Sequence, residues 1–132
     1  MKEFAIKENH LFVKTYGKGK RYVTPLVGVF VLRDYDAHRL MNENPRKEYL
    51  NRVGFAVSKK VGGAVTRNRC KRVMREGYRR AVSENRIRTG NLIVISARQD
   101  AAGASSAEMY EHISRAFRKL GLTAADGPRK DD

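Results

Sequence analysis

The spacing of apolar residues along the chain changes period several times, and each change marks an element. Leu11, Phe12 and Tyr16 follow Asn9, a good N-cap, and Gly17 and Gly19 close the run, which predicts a short helix with Phe12 and Tyr16 on one face. The order Leu26-Val27-Gly28-Val29-Phe30-Val31-Leu32 predicts a strand with Leu26, Gly28, Phe30 and Leu32 on one face, preceded by an edge strand over residues 21–24. Residues 33–51 are polar, charged and broken by Asn44-Pro45, and read as a long, exposed hairpin connection with room for a turn or two of helix.

Strand periodicity returns over residues 52–58, where Val53, Phe55 and Val57 alternate with Arg52, Gly54, Ala56 and Ser58. Gly54, Ala56 and Ser58 of the second set are small enough to leave room for a ligand on that face. Lys59, Lys60 and the Gly62-Gly63 pair then form a loop whose glycines expose backbone N–H groups. A helix is expected from Thr66, as N-cap, to about Val82, with Cys70, Val73, Met74, Gly77 and Ala81 on one side. Arg67, Asn68, Lys71, Arg72, Arg75 and Arg79 fall on the other.

The run Leu92-Ile93-Val94-Ile95 has no polar alternation, as expected of a strand covered on both faces. Ser105 and Glu108 have capping-box spacing, and Met109, Ile113, Ala116, Phe117 and Leu120 then recur at helical intervals before Gly121. Residues 123–132 are polar and read as a disordered tail, leaving one domain over residues 1–122.

Charge sharpens this picture. The 132 residues contain 28 Lys and Arg against 14 Asp and Glu, a formal net charge of +14 that calls for an anionic partner. Nucleic acid is favoured over an acidic membrane surface, because no apolar run approaches the roughly 20 residues a bilayer span requires. The opening Met1-Lys2-Glu3-Phe4 stretch has no signal-peptide pattern, so a cytoplasmic protein is expected. Cys70 stands alone and His10, His38 and His112 lie far apart, which argues against a disulfide or a zinc site. Cys70 reads as a buried packing residue.

Between Lys59 and Arg80 there are nine Lys or Arg and a single acid, Glu76. Intrahelical pairing cannot neutralise such a face, and its cations repel one another unless a polyanion covers them. Arg67-Asn68-Arg69 falls at the expected helix start, where free N–H groups already favour phosphate and guanidinium forks add bidentate contacts.

The run from Arg52-Val53-Gly54-Phe55-Ala56-Val57-Ser58-Lys59-Lys60 through Val61-Gly62-Gly63-Ala64-Val65-Thr66 to Arg67-Asn68-Arg69-Cys70-Lys71-Arg72 resembles the signature of the bacterial ribonuclease P protein family. A weaker echo lies in Phe12, Tyr16 and Gly19. The resemblance covers roughly residues 6–121 and implies an α+β fold, an α-β-β-β-α-β-α sandwich like the second domain of ribosomal protein S5. Its four-stranded mixed sheet would contain a left-handed βαβ crossover, against the usual right-handed rule.

The same resemblance implies an RNA-binding subunit that assists a catalytic RNA in removing the 5′ leader of precursor tRNA. Carried over by position, the catalytic-RNA surface is Lys59, Lys60, Gly62, Gly63, Arg67, Asn68, Arg69, Lys71, Arg72 and Arg75. The leader surface is Phe12, Tyr16 and Lys14, between the first helix and the open sheet face. The family uses Mg²⁺ held mainly by RNA, so no protein-bound cofactor is expected, and neither DNA nor membrane is an expected partner.

A metal-dependent protein nuclease would need converging carboxylates, and the nearest pair, Asp34 and Asp36, sits in the polar connection and reads as turn residues. A structural RNA-binding protein of the ribosome would share the size and charge. A helix-turn-helix DNA binder would need a helix where the sequence shows a strand and a glycine loop.

Overall fold

The structure, a computed structural model, describes residues 4–6, 9–34, 51–88 and 90–128. The interior of the 33–51 connection, with Asp36 and His38, lies outside the described residues. The elements are β1 (Phe4–Ala5), α1 (Asn9–Lys18), β2 (Lys20–Val23), β3 (Val27–Arg33), β4 (Arg52–Ala56), α2 (Ala64–Glu84), β5 (Asn85–Ile87), β6 (Asn91–Ala97), a 3₁₀ turn (Gln99–Gly103), α3 (Ser106–Lys119) and β7 (Thr123–Pro128). With the short strands β1, β5 and β7 set aside, this is the expected α-β-β-β-α-β-α order.

The main sheet runs β1-β4-β6-β3-β2. β4 and β6 are parallel, whereas β6 with β3 and β3 with β2 are antiparallel, so the sheet is mixed. The two-residue β1 adds a parallel edge to the four expected strands. Leu92, Ile93, Val94 and Ile95 of β6 are essentially inaccessible, as their unbroken apolar run requires, because β6 occupies the centre with helices on both faces. That position corrects the expected hairpin between β3 and β4: β6 lies between them, and residues 34–51 join non-adjacent strands. The crossover that the family resemblance singles out is β4-α2-β6.

Each strand face has its own core. Val27, Val29, Val53, Ile93 and Ile95 pack under α2 and α3, against Cys70, Val73, Met74, Tyr78, Met109, Ile113 and Phe117. Leu92 and Val94 face the other way, and with Ile6 and Leu11 form a smaller cluster under α1. α2 and α3 touch closely at Gly77, where a Cβ would come within 2.7 Å of the Met109 Cβ and 2.8 Å of the Tyr110 nitrogen. The capping box at Ser105 and Glu108 forms as the spacing predicts.

Several boundaries differ from expectation: α1 includes Asn9 and runs through Gly17 to Lys18, and β4 ends at Ala56. α2 begins at Ala64 with Gly63 as its N-cap, and Thr66 is already inside the first turn. The Arg67 N–H donates to the Gly63 carbonyl at 2.9 Å, and the Thr66 side chain lies over Gly62, where any Cβ would come within 2.9 Å of it. The expected disordered tail instead supplies β7, which pairs antiparallel with β5. Leu122 anchors it, 3% exposed and accepting the Arg88 N–H at 2.7 Å, a single apolar residue too isolated to give a periodic signal.

Candidate RNA interface

α1 crosses only part of its sheet face. Phe12 projects onto β4 at Gly54, where a Cβ would lie within 2.7 Å of the Phe12 Cε1, so the ring rests directly on the glycine backbone. One turn later Tyr16 meets Phe30 of β3 edge-on, ring centroids 4.8 Å apart, and stays 36% exposed. Thr15, between them, is buried and donates its hydroxyl to the Leu11 carbonyl at 2.7 Å, so its own polar group is satisfied under the helix.

Beyond the two rings the sheet surface stays low. Gly28, Ser96 and Ala56 lie in one row across β3, β6 and β4, and Val23, 45% exposed, extends it to β2. Arg21 stands exposed opposite Phe30. Small residues on this sheet face are thus bordered by aromatic rings and a cation. The alternation in residues 52–58 signalled the open floor. Phe30 and Arg21 were missed as site residues, although the shared face of Gly28 and Phe30 was legible. Lys14 is not brought to this cleft: it lines a groove on the outward side of α1 with His10, Val13 and Gly17. Two residues along a helix is about 200° of rotation, so Lys14 faces away from Phe12.

The second surface begins where β4 ends. Lys59, Lys60, Gly63, Asn68, Arg72 and Arg75 are exposed, with Lys71 half-buried beside them. Arg75 also lies over the Phe55 ring, 5.7 Å from its centroid. The Arg67 Nε is buried without a hydrogen-bond partner, a donor on a side chain that otherwise reaches solvent.

Arg69 behaves differently. Its guanidinium donates to the carbonyls of Ala102 and Ala104 at 3.0 and 3.1 Å, clamping the 3₁₀ turn to α2. Arg69→Ala is therefore expected to lower stability by about 1.5 to 3 kcal/mol, the range for hydrogen bonds to a charged group. Urea unfolding checks this; unchanged stability with weakened RNA binding would place the guanidinium on RNA instead. Cys70 beside it is fully buried, and burial raises its thiol pKa while Arg69 pulls the other way, as suits a packing residue.

Asp34 carries no metal-type geometry. It is 3% exposed and takes a bidentate ion pair from Arg52, Nε to Oδ2 at 2.7 Å and Nη2 to Oδ1 at 2.9 Å. The described residues thus offer Mg²⁺ no fit at this carboxylate, whose oxygens are already engaged.

An anionic polymer with both folded and unpaired parts is what two such surfaces suit, and they define the class: an α+β RNA-binding protein. The ribonuclease P family model matches residues 1–121. Among curated proteins, the ribonuclease P protein component of Clostridium acetobutylicum is 33% identical over 126 residues, covering 96% of each chain. That of Alkaliphilus metalliredigens is 34% identical, over 89% of this chain and 93% of the relative. The Staphylococcus aureus RNase P protein superposes with a TM-score of 0.69 at 25% identity, covering 93% of this chain and all of the other. The Thermotoga maritima protein, at 20% identity and a TM-score of 0.68, shares the fold over 88% of this chain. The chain belongs to the ribonuclease P protein family, whose members act with an RNA subunit in tRNA 5′ processing.

Proposed function

We propose that a single domain, residues 1–122, presents two RNA faces with separate tasks. The loop from Lys59 to Gly63 and the outer face of α2, through Arg67, Asn68, Lys71, Arg72 and Arg75, seat the catalytic RNA. The cleft between α1 and the open sheet holds the 5′ leader of precursor tRNA, with Phe12 and Tyr16 as its aromatic wall and Arg21 rather than Lys14 as its nearest cation. The observation that carries this reading is the Phe12 ring lying on Gly54 next to a floor of Gly28, Ala56 and Ser96. Unpaired bases stack on such rings without strict sequence preference.

Hydrolysis belongs to the RNA, with Mg²⁺ held there; closure of Asp34 by Arg52 supports that division. Among the described residues no helix is long and apolar enough to cross a membrane, in keeping with work beside tRNA in the cytoplasm. Protein freed of RNA is expected to leave precursor tRNA intact and to enhance cleavage when the catalytic RNA is restored. Arg67→Ala with Arg72→Ala should weaken binding to that RNA and reduce the slope of log affinity against log salt by about 2, near 0.9 per lost phosphate contact. Cleavage by RNA-free protein, or an unchanged salt slope, would overturn these assignments.

A further inference from the structure

At the end of the sheet away from the Lys59–Gly63 loop, four elements converge on a groove of about 360 Å³. Lys18 comes from the last turn of α1, Lys20 from β2, Arg33 from the end of β3, and Arg88 from the connection between β5 and β6. No carboxylate is among the described residues lining it. The acid next in sequence, Asp34, is already engaged by Arg52.

The arrangement is built rather than incidental. Gly19 brings the end of α1 against β3 so closely that a Cβ there would lie 2.6 Å from the Thr15 carbonyl and 2.7 Å from that of Val31. This approach sets Lys18 and Lys20 beside Arg33. Arg88 is steadied through its Nε, which donates to the Gly121 carbonyl at 3.2 Å, while its backbone N–H holds Leu122. Its remaining guanidinium donors are preoriented for an anion. Leu32 lines the groove and also belongs, with Phe12 and Phe30, to the residues packed on the cluster under α1, so at this one residue the groove borders the sheet face that carries the aromatic rings. Val31 and Leu120 line its other side, so it wraps around the sheet end towards α3.

We infer that this groove is a phosphate track for the distal part of the leader, engaging the backbone of nucleotides that lie beyond those stacked at Phe12 and Tyr16. Among the described residues the cations converge without an acid and without a flat ring for a base, which suits a phosphodiester backbone read without regard to sequence. The inference rests on the leader assignment proposed above.

The test uses holoenzyme reconstituted with Lys20→Gln/Arg33→Gln protein, both sites being exposed, after a thermal melt has verified the fold. Affinity is measured for mature tRNA and for precursors with leaders of about five and about twelve nucleotides, lengths inside known single-strand footprints. Wild-type holoenzyme should bind the long leader several-fold more tightly than the short one. The variant should lose that increment, with a salt slope for the long leader lower by about 1.4, near 0.7 per single-strand phosphate. Binding of the short leader and of the catalytic RNA should be unchanged. The track is overturned if wild type shows no length increment, if the variant keeps it, or if the variant loses catalytic-RNA affinity to the same degree. Failure of the leader assignment is read separately, as equal wild-type affinity for short-leader and mature tRNA.

Discussion

Replacing Asp34 with alanine is expected to destabilise the protein by about 3 to 5 kcal/mol, because it removes the carboxylate held in a bidentate pair by the buried Arg52 guanidinium. Both side chains are nearly inaccessible, at 8% for Arg52 and 2% for Asp34, and both hydrogen bonds are short. The pair also lies at a structural junction. Arg52 sits in register with Phe4 of β1 and Leu92 of β6, and the Asp34 N–H donates to the Gly90 carbonyl, so the end of β3 is tied to the start of β6. Denaturant unfolding of Asp34→Ala measures the loss, and adding Arg52→Met should recover part of it by removing the buried charge. If Asp34 instead acted as a metal ligand, Asp34→Ala would leave stability nearly intact and raise the Mg²⁺ demand of the holoenzyme. A stability change under about 1 kcal/mol would show that the pair is hydrated, as exposed pairs are.

What could be read from the sequence follows the range of each interaction. The apolar run Leu92–Ile95 announced a strand covered on both faces, and the stripes of α2 and α3 named the helical side of the core apart from Tyr78. Capping at Ser105 is local to four residues and was legible for that reason. The small residues Gly54 and Ala56 marked the open face of β4, since alternation alone assigns a side. By contrast, Arg69 reads from sequence as one more cation in a basic run, and only folding brings it to carbonyls 33 and 35 residues further on. The Arg52–Asp34 pair spans 18 residues across a polar connection and left no local mark. The outward direction of Lys14 is another matter, because helical geometry already places it opposite Phe12. Its assignment to the leader came with the family resemblance rather than with the wheel.

Truncating both Phe12 and Tyr16 to alanine is expected to weaken binding of leader-bearing precursor tRNA by roughly 1 to 3 kcal/mol for each base that fully stacks, while mature tRNA binds almost as before. The two rings should not contribute equally. Tyr16 meets Phe30 through an edge and remains 36% exposed, so its free face is available and Tyr16→Ala should act mainly on the leader. Phe12 already rests on Gly54 and packs with Leu11 and Leu92, so Phe12→Ala should also lower the melting temperature. Gly54→Ala separates the two effects. It keeps both rings in the chain, yet its Cβ meets the Phe12 ring at van der Waals overlap and must turn it out of the cleft. Measured below the melting transition, Gly54→Ala should reproduce the leader-specific loss of Phe12→Ala. Tyr16→Phe, which preserves the ring, should retain near-normal affinity. An equal loss for mature and leader-bearing tRNA, or normal leader affinity in the folded double variant, would falsify the aromatic wall.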